Sequence, residues 1–203
     1  MTDKPKILAI AGSLREHSYN KRIVRIAMQG AEMAGAEVTY VDLRDYPMPI
    51  YNSDNEKNGF DPNALAFQGI VTDHDGFLIA SPEYNGSLSA ALKNAIDWAS
   101  RQSNVYDRSK IFRGKFAAIM SAAPGPFGGL RSLLHLRGVL TSLGVNVLPA
   151  EVAVPLVSDK FEGEEMKDET VNTALENLGV SLAEILTLTR RETSDLRVLS
   201  LAK

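Results

Sequence analysis

The feature of this sequence that most restricts its fold is a fivefold alternation of short apolar segments with longer segments of helical periodicity. Short apolar runs are typical of buried strands, and apolar residues spaced three to four apart are typical of helices. Strands joined by crossover helices pair in parallel, and a nearly continuous apolar strand has both of its faces covered. The sequence therefore predicts an α/β fold with a doubly wound, five-stranded parallel sheet.

The predicted elements follow one another without an internal repeat or a linker. We predict strands at residues 6–11, 37–41, 76–80, 116–120 and 145–154. We predict helices at residues 19–34, 62–73, 88–101, 130–143 and 168–191.

Three parts of the chain depart from this pattern. Residues 44–61 contain two prolines and a glycine, which predict a long irregular connection. Pro149 falls inside the fifth strand and interrupts or ends it, because proline cannot donate to a sheet ladder. Residues 192–203 give no clear prediction.

Length and composition exclude several classes of protein. With 203 residues we expect one domain over residues 1–203, with its core in 5–190. A net charge of -3 offers no attraction for nucleic acid. The chain lacks cysteine, and its three histidines do not have the spacing of metal ligands, so we expect no metal site. No apolar run approaches the ~18 residues of a membrane span and no signal peptide is visible, so we expect a cytoplasmic protein that does not cross a membrane.

A five-stranded sheet of this kind has a preferred strand order, 2-1-3-4-5. Ligands of such sheets bind beyond the carboxyl ends of the strands, at the point where the order reverses. In this order the first, third and fourth strands are neighbours. The loops that follow these three strands should therefore line one crevice.

The first of these loops has the sequence GSLREHSYN and leads into a helix. Its hydroxyls, amide and guanidinium, together with N–H groups at a helix start, suit a phosphate dianion. The spacing fits neither the P-loop of nucleotide triphosphatases nor the dinucleotide-binding glycine motif. It is consistent with a mononucleotide site, and equally with a simple helix N-cap at Ser18.

The second loop has the sequence SPEYNGS. Pro82 stiffens the exit from the strand, and the pair Asn85-Gly86 favours a turn with left-handed backbone angles. Such a turn presents N–H groups at a helix start, where charge that builds up on a flavin ring during reduction is stabilised. Tyr84 is placed to pack on or beside such a ring. The alternative is a plain turn without a ligand, in which Ser87 caps the next helix.

The third loop, SAAPGPFGG, contains two prolines, three glycines and no charged side chain. Its backbone can approach a flat ligand closely, so its contribution is expected from main-chain hydrogen bonds and apolar contact. Arg131 follows this loop, and we expect it to face solvent or a partner subunit.

Three segments, GSLREHSYN, SPEYNGSLSAALKNAIDW and SAAPGPFGGLRSLLHLRGVL, together resemble the NAD(P)H-dependent FMN reductase family, which includes chromate, quinone and azo-dye reductases. The resemblance covers roughly residues 5–190. It implies a flavodoxin-like fold, tightly bound FMN, and NAD(P)H as the co-substrate that donates hydride. It also implies a small-molecule electron acceptor, such as a quinone, free flavin, azo compound or metal oxyanion, and homodimers or homotetramers.

The resemblance also implies which residues bind the cofactor. The matching phosphate-loop residues are Ser13, Arg15, Ser18 and Asn20, the isoalloxazine-loop residues are Pro82, Glu83, Tyr84, Asn85 and Gly86, and Ser121 follows the fourth strand. A second serine common in the third loop of relatives is replaced here by Ala123. The segment 49–52 resembles a further family segment. No catalytic side chain is predicted, because the flavin carries the chemistry.

A different class of function would use the same fold. A flavodoxin-like electron carrier binds flavin without turning over NAD(P)H. Such carriers tend to be strongly acidic, because charge steers them to their redox partners. The net charge of -3 therefore favours the reductase.

Overall fold

The computed structural model describes the backbone of residues 4–57 and 59–201, and the side chains of these residues except 55, 57 and 191–201. The strands are β1 (Lys6–Ala11), β2 (Glu37–Asp42), β3 (Gly76–Ala80), β4 (Glu83–Tyr84), β5 (Ser87–Leu88), β6 (Phe116–Ala122), β7 (Asn146–Val154), β8 (Phe161–Glu162) and β9 (Glu165–Met166). The helices are α1 (Tyr19–Met33), α2 (Ser53–Lys57), α3 (Pro62–Asp73), α4 (Ala90–Ala99), α5 (Arg108–Ile111), α6 (Leu130–Ser142) and α7 (Glu169–Leu201). Among the described residues, no helix is both long and apolar enough to cross a bilayer.

The main sheet is parallel throughout, with the order β2-β1-β3-β6-β7. Counting only the strands of this sheet, the order is 2-1-3-4-5, which confirms the prediction. The register places Ala11 beside Ala80, and Ala80 beside Met120. The carboxyl ends of β1, β3 and β6 therefore lie side by side, and the three loops leave the sheet at one edge.

Alternating side chains of β1 divide the core between the two faces of the sheet. Ile7, Ala9 and Ala11 pack with apolar residues of α1 and α7. Leu8 and Ile10 point to the opposite face and pack with α3, α4 and α6. All five are at most 4% exposed, as expected for a central strand covered on both faces.

Helices α1 and α7 pack backbone against backbone. A Cβ placed on Gly30 would lie 2.1 Å from the Glu176 carbonyl oxygen, and one on Gly179 would lie 1.8 Å from the Ala27 carbonyl oxygen. Both positions therefore need glycine for the helices to come this close. This contact fixes α1, and with it the loop that enters α1, against the last helix of the chain.

Pro149 interrupts the edge strand β7 but does not end it. Ala117 pairs with Val147 and Ile119 pairs with Glu151, so β7 carries extra residues in a bulge between these pairs. The Arg137 side chain bonds carbonyl groups in the bulge and the Glu151 carboxylate. These bonds replace ladder hydrogen bonds and allow the strand to resume beyond the proline.

The irregular connection 44–61 is more ordered than predicted. It begins with a 3-10 turn at Leu43–Asp45 and includes α2. The indole N–H of Trp98 and the amide of Asn94 both donate to the Pro49 carbonyl oxygen, at 2.8 and 3.0 Å. Two side chains of α4 thus hold this connection against the helix.

Three further differences concern short or terminal elements. The hairpins β4–β5 and β8–β9 were not predicted, because two-residue strands are too short for an apolar period to show. The helix predicted at 88–101 begins at Ala90, where Ser89, rather than Ser87, caps it by accepting from the Leu92 N–H. Helix α7 continues to Leu201, so most of the segment 192–203 is helical, and residues 202–203 lie outside the described residues.

Candidate functional site

Hydrogen bonds join the three loops where they leave the sheet. The Gly12 N–H donates to the Ala80 carbonyl oxygen at 2.8 Å, and the Ser81 N–H donates to the Met120 carbonyl oxygen at 2.9 Å. The Ser89 hydroxyl, which caps α4, also donates to the Gly12 carbonyl oxygen. The loops after β1, β3 and β6 are therefore held together at one edge, as their positions in the sequence predict.

The first loop places its hydroxyls inside and its guanidinium outside. Ser13 and Ser18 are 1% and 4% exposed. The Ser13 hydroxyl oxygen accepts from the Arg15 N–H at 3.3 Å, which tightens the turn. The Arg15 side chain is exposed at the mouth of the loop. The first loop thus places both hydroxyl groups and a guanidinium at the start of α1.

Ser18 occupies the N-cap position of α1, but its side chain makes no capping hydrogen bond. The first turn of α1 also carries no acidic side chain. The first N–H groups of a helix need an acceptor, and the positive end of its dipole favours an anion. This helix end therefore has the electrostatic character of an anion site, without a side-chain acceptor of its own at the cap.

The amide of Asn20 connects the first loop to the third. Its Nδ2 donates to the Ala122 carbonyl oxygen at 2.9 Å, and its Oδ1 accepts from the Ala122 N–H at 3.1 Å. Asn20 is 3% exposed. Of the four residues predicted in the first loop, Asn20 is the one whose side chain hydrogen-bonds backbone groups of β6.

The second loop contains a hairpin, in which the two-residue turn Asn85-Gly86 joins β4 to β5. Asn85 and Gly86 have φ angles of 51° and 77°, both in the left-handed region that this pair was predicted to adopt. Consecutive left-handed residues match the twist of a hairpin. Tyr84 is 50% exposed, whereas Pro82 is buried at the strand exit. The turn therefore lies at the surface, with Asn85 exposed and the Tyr84 ring beside it half exposed.

Glu83 forms an ion pair with Arg131 at the start of α6. Oε1 accepts from the guanidinium Nε at 2.7 Å, and Oε2 accepts from the backbone N–H of Arg131 at 3.1 Å. The Arg131 side chain is 62% exposed, as predicted for a residue facing solvent, but its guanidinium is bound within the chain. The two residues are 48 positions apart, so the sequence alone could not predict that they pair.

Ser121 lies beneath the third loop. It is fully buried, and its hydroxyl is 3.4 Å from that of Ser132. Gly129, with a φ of 86°, sits so close above it that a Cβ there would lie 1.9 Å from the Ser121 hydroxyl oxygen. The Ser121 hydroxyl thus packs under the backbone of the loop.

A buried ion pair lies at the start of α1, where β2 ends. Lys21 donates to Asp42 at 2.6 Å, and the lysine side chain is 3% exposed. Arg44 donates to the same carboxylate from its backbone and its side chain. Burial raises the pKa of Asp42, but the hydrogen bonds from Arg44 and Lys21 outweigh it and lower the pKa to about 2. Asp42 therefore stays ionised at neutral pH and fixes α1 to β2.

Sequence reasoning missed the pair of Lys21 and Asp42. The available signal was that Lys21 shares its helix face with Val24, an apolar and fully buried residue. A lysine on such a face needs a carboxylate partner, because a buried unpaired charge is costly.

Comparison with known proteins places all three loops within a recognised family. A family model described as NADPH-dependent FMN reductase matches residues 5–159. An NAD(P)H-dependent FMN reductase of Pseudomonas aeruginosa is 38% identical over 165 residues, which are 81% of this chain and 85% of that protein. An NAD(P)H:quinone oxidoreductase of Solanum tuberosum is 44% identical over 137 residues. That match covers 66% of each protein, so this chain spans just under two thirds of the plant relative.

A solved structure shares the fold over most of both chains. The flavoenzyme NAD(P)H:(acceptor) oxidoreductase of Paracoccus denitrificans superposes with a TM-score of 0.76 and 23% identity. The superposition covers 90% of this chain and 97% of that one. The flavodoxin-like fold and the resemblance carried by the three loop sequences are thereby confirmed. By its family match, its relatives and its strand order, the chain belongs to the NADPH-dependent FMN reductase family.

Proposed function

We propose that this protein binds FMN at the carboxyl edge of its sheet and passes hydride from NAD(P)H to the flavin and on to a small acceptor. Family membership supports the reaction class. The observation that carries the proposal is that an anion-suited helix end and an exposed left-handed turn lie at the same edge of the sheet. FMN has a dianionic phosphate at one end and a hydride-accepting ring at the other, so it matches both features.

The phosphate end fits the first loop. The α1 terminus lacks a side-chain cap, Ser13 and Ser18 supply buried hydroxyls, and Arg15 supplies a positive charge at the mouth. In this role the Arg15 guanidinium donates to phosphate oxygens, which it holds more strongly than a neutral donor would. Asn20 acts by fixing the loop to the end of β6 through its bonds to Ala122.

The ring end fits the second and third loops. When bound, FMN supplies the two-electron chemistry, so the protein need only hold and tune it. The left-handed turn at Asn85 and Gly86 offers backbone N–H groups where negative charge develops, and Tyr84 packs beside the ring. The glycine-rich third loop allows the backbone to approach a flat group closely. Pro82 and Glu83 fix the hairpin, and Ser121 supports the third loop from below.

The site is open on its outer side, which suits small and varied acceptors. Tyr84 is 50% exposed and Phe127, in the third loop, is 64% exposed. Exposed aromatic rings at a site mouth favour stacking with flat apolar molecules. Since one relative is named a quinone oxidoreductase and another an FMN reductase, we place quinones and free flavins first among the acceptors.

Anaerobic mixing with NADH or NADPH tests this function. We expect the visible colour of the FMN-loaded protein to bleach within seconds and to return when a quinone is added. Free FMN at the same concentration, without protein, controls for direct reduction. Persistent colour with both nicotinamides would contradict the reductase and leave an electron carrier, and failure to take up FMN would contradict both.

Assembly and location stay predictions. A homodimer or homotetramer is supported by exposed apolar residues in and beside α6, among them Phe127, Leu130 and Leu134. Sedimentation of the purified protein tests it, and a monomer at micromolar concentration would contradict it. A cytoplasmic location is tested by fractionation of the source cells.

A further inference from the structure

We infer that Arg131 is a positioning residue that sets the reduction potential of the bound flavin by neutralising Glu83 beside the hairpin turn. This inference rests on the proposed function, because it concerns the ring end of the proposed FMN site. It assigns a role within the site to Arg131, for which the sequence predicts only that it faces solvent or a partner subunit. Three observations support it.

First, the Glu83 carboxylate is nearly buried and has two separate partners on α6. Its side chain is 9% exposed. One oxygen binds the Arg131 guanidinium, and the other accepts the Arg131 backbone N–H. Gly129 at the N-cap of α6 has no side chain to cap the helix, so Glu83 takes that place. The carboxylate is thus held in one position by both a charge and a helix end.

Second, the guanidinium lies directly against the turn. A Cβ placed on Gly86 would lie 3.9 Å from both Cδ and Nε of Arg131 and 4.0 Å from its Cζ. The same guanidinium lies over the Phe127 ring, with 5.9 Å between Cζ and the ring centroid. The cation therefore contacts the carboxylate, the turn and an aromatic ring of the third loop, although its side chain is 62% exposed.

Third, the hairpin has another attachment to α6 that does not involve the ion pair. His135 Nδ1 lies 2.9 Å from the Ser87 hydroxyl. His135 is one helical turn beyond Arg131, so both residues hold the hairpin from the same side of α6. The position of the hairpin and the charge of Glu83 can therefore be changed separately by mutation.

The electrostatic consequence follows from where charge develops. Reduction adds negative charge to the flavin ring, and an unpaired carboxylate nearby opposes that charge. With Arg131 in place, the pair of Glu83 and Arg131 is close to neutral, so it repels the reduced ring only weakly. Without Arg131 the carboxylate should weaken the binding of reduced FMN more than the binding of oxidised FMN.

Two single variants and their combination test this inference through the signs of their effects. In Arg131→Gln, the ratio of the dissociation constants of reduced and oxidised FMN should rise about tenfold. For a two-electron couple this equals a midpoint potential about 30 mV more negative. In Glu83→Gln, the retained cation should shift the potential to more positive values. The double variant should return close to the wild type, and Arg131→Lys, which keeps the positive charge, should keep most of the wild-type potential.

The measurements are the dissociation constant of oxidised FMN, from flavin fluorescence, and the midpoint potential, from equilibration with a reference dye. His135→Ala is the matched control, because it removes a hairpin attachment without changing the charge of Glu83. It should leave the potential within experimental error of the wild type.

A merely structural role predicts a different pattern. If the ion pair only holds the hairpin, both single variants should shift the potential in the same direction, or not at all, and the double variant should be no better than either. That pattern overturns the inference while the reductase stands. If Arg131→Gln does not fold, the other two variants provide the test. A positive shift in Glu83→Gln and a potential close to wild type in the double variant support the inference. A wild type that binds no FMN overturns both the inference and the proposed function.

Discussion

The Asn20 side chain forms two hydrogen bonds with the backbone of Ala122, one as donor and one as acceptor. The two residues are 102 positions apart in the chain. Through them the first turn of α1 and the end of β6 hold each other in register. The loops proposed to bind the two ends of FMN are thus joined by one amide.

Asn20→Ala should destabilise the protein without FMN by about 2–4 kcal/mol, because it leaves the buried N–H and carbonyl of Ala122 without partners. Chemical denaturation of the FMN-free protein measures the loss. Asn172→Ala is the control, since Asn172 bonds one partly buried carboxylate on its own helix and should cost less than about 0.5 kcal/mol. Equal losses in the two variants would contradict the bridging role of Asn20.

Arg15→Ala should weaken FMN binding about ten- to hundredfold, because it removes a charge-assisted hydrogen bond worth roughly 1.5–3 kcal/mol. Riboflavin, which lacks the phosphate, should bind almost unchanged. Titration followed by flavin fluorescence measures both ligands. Arg25→Ala serves as the control, since Arg25 lies further along α1 and stacks on Tyr40. An equal loss for FMN and riboflavin would remove Arg15 from the phosphate site.

Gly129→Ala should lower the free energy of unfolding by about 2 kcal/mol or more. The new Cβ would collide with the Ser121 hydroxyl, and φ is 86° at this position. Gly125→Ala is the matched control within the same loop, because nothing lies within 4 Å of its added Cβ. It should change stability by less than about 0.5 kcal/mol. Thermal unfolding compares the variants, and similar melting temperatures would contradict the close packing over Ser121.

Asp42 should make stability depend on acidity. The pKa of Asp42 is about 2 in the folded protein and close to 3.8 when unfolded, so the native state binds fewer protons between these values. Its contribution, about 2 kcal/mol, is therefore complete above about pH 5 and is lost as the pH falls towards 2. The stability difference between wild type and Asp42→Asn should shrink over that range. Glu37→Gln, which removes an exposed carboxylate at the start of β2, is the control.

Lys115 should also make stability rise with pH, but in the alkaline range. Its ammonium donates to the Val71 and Thr72 carbonyl oxygens at the end of α3. Burial lowers the pKa of Lys115 to about 8, although Asp75 and Asp73 oppose the shift. The folded protein releases this proton at a lower pH than the unfolded chain does. Stability relative to Lys115→Met should therefore rise between about pH 8 and 10.5.

The control for this alkaline effect is Lys110→Met, which alters an exposed lysine nearby. Urea unfolding at several pH values provides the comparison. A difference between wild type and Lys115→Met that stays flat across the range would show that Lys115 titrates as an ordinary lysine.

The five main strands could be predicted from the sequence because β1, β3 and β6 are nearly continuous apolar runs and β2 is rich in β-branched residues. Their order could be predicted because it is the one that such sheets prefer. The predicted bounds of the first and third strands, 6–11 and 76–80, agree with β1 and β3. The bulge in β7 could not be predicted, since it depends on Arg137 bonding carbonyl groups that the ladder leaves free. The extent of a single domain over residues 1–203 stays a prediction.

The positions of the three loops were predictable, but the contacts that hold them were not. The left-handed turn at Asn85 and Gly86 follows from local preferences, so the sequence reveals it. The pairing of Glu83 with Arg131 joins residues that only the folded chain brings together. The sequence shows which residue types are available, and the fold decides which of them are used to hold the loops.

The tight crossing of α1 and α7 has a consequence for the order in which the protein is made. Translation proceeds from the amino end, so the loop that enters α1 leaves the ribosome long before α7 exists. Until α7 docks at Gly30 and Gly179, one face of α1 has no partner, and its first turn is not held in its final place. We therefore expect a nascent chain to acquire flavin only after α7 has been made and has docked on α1.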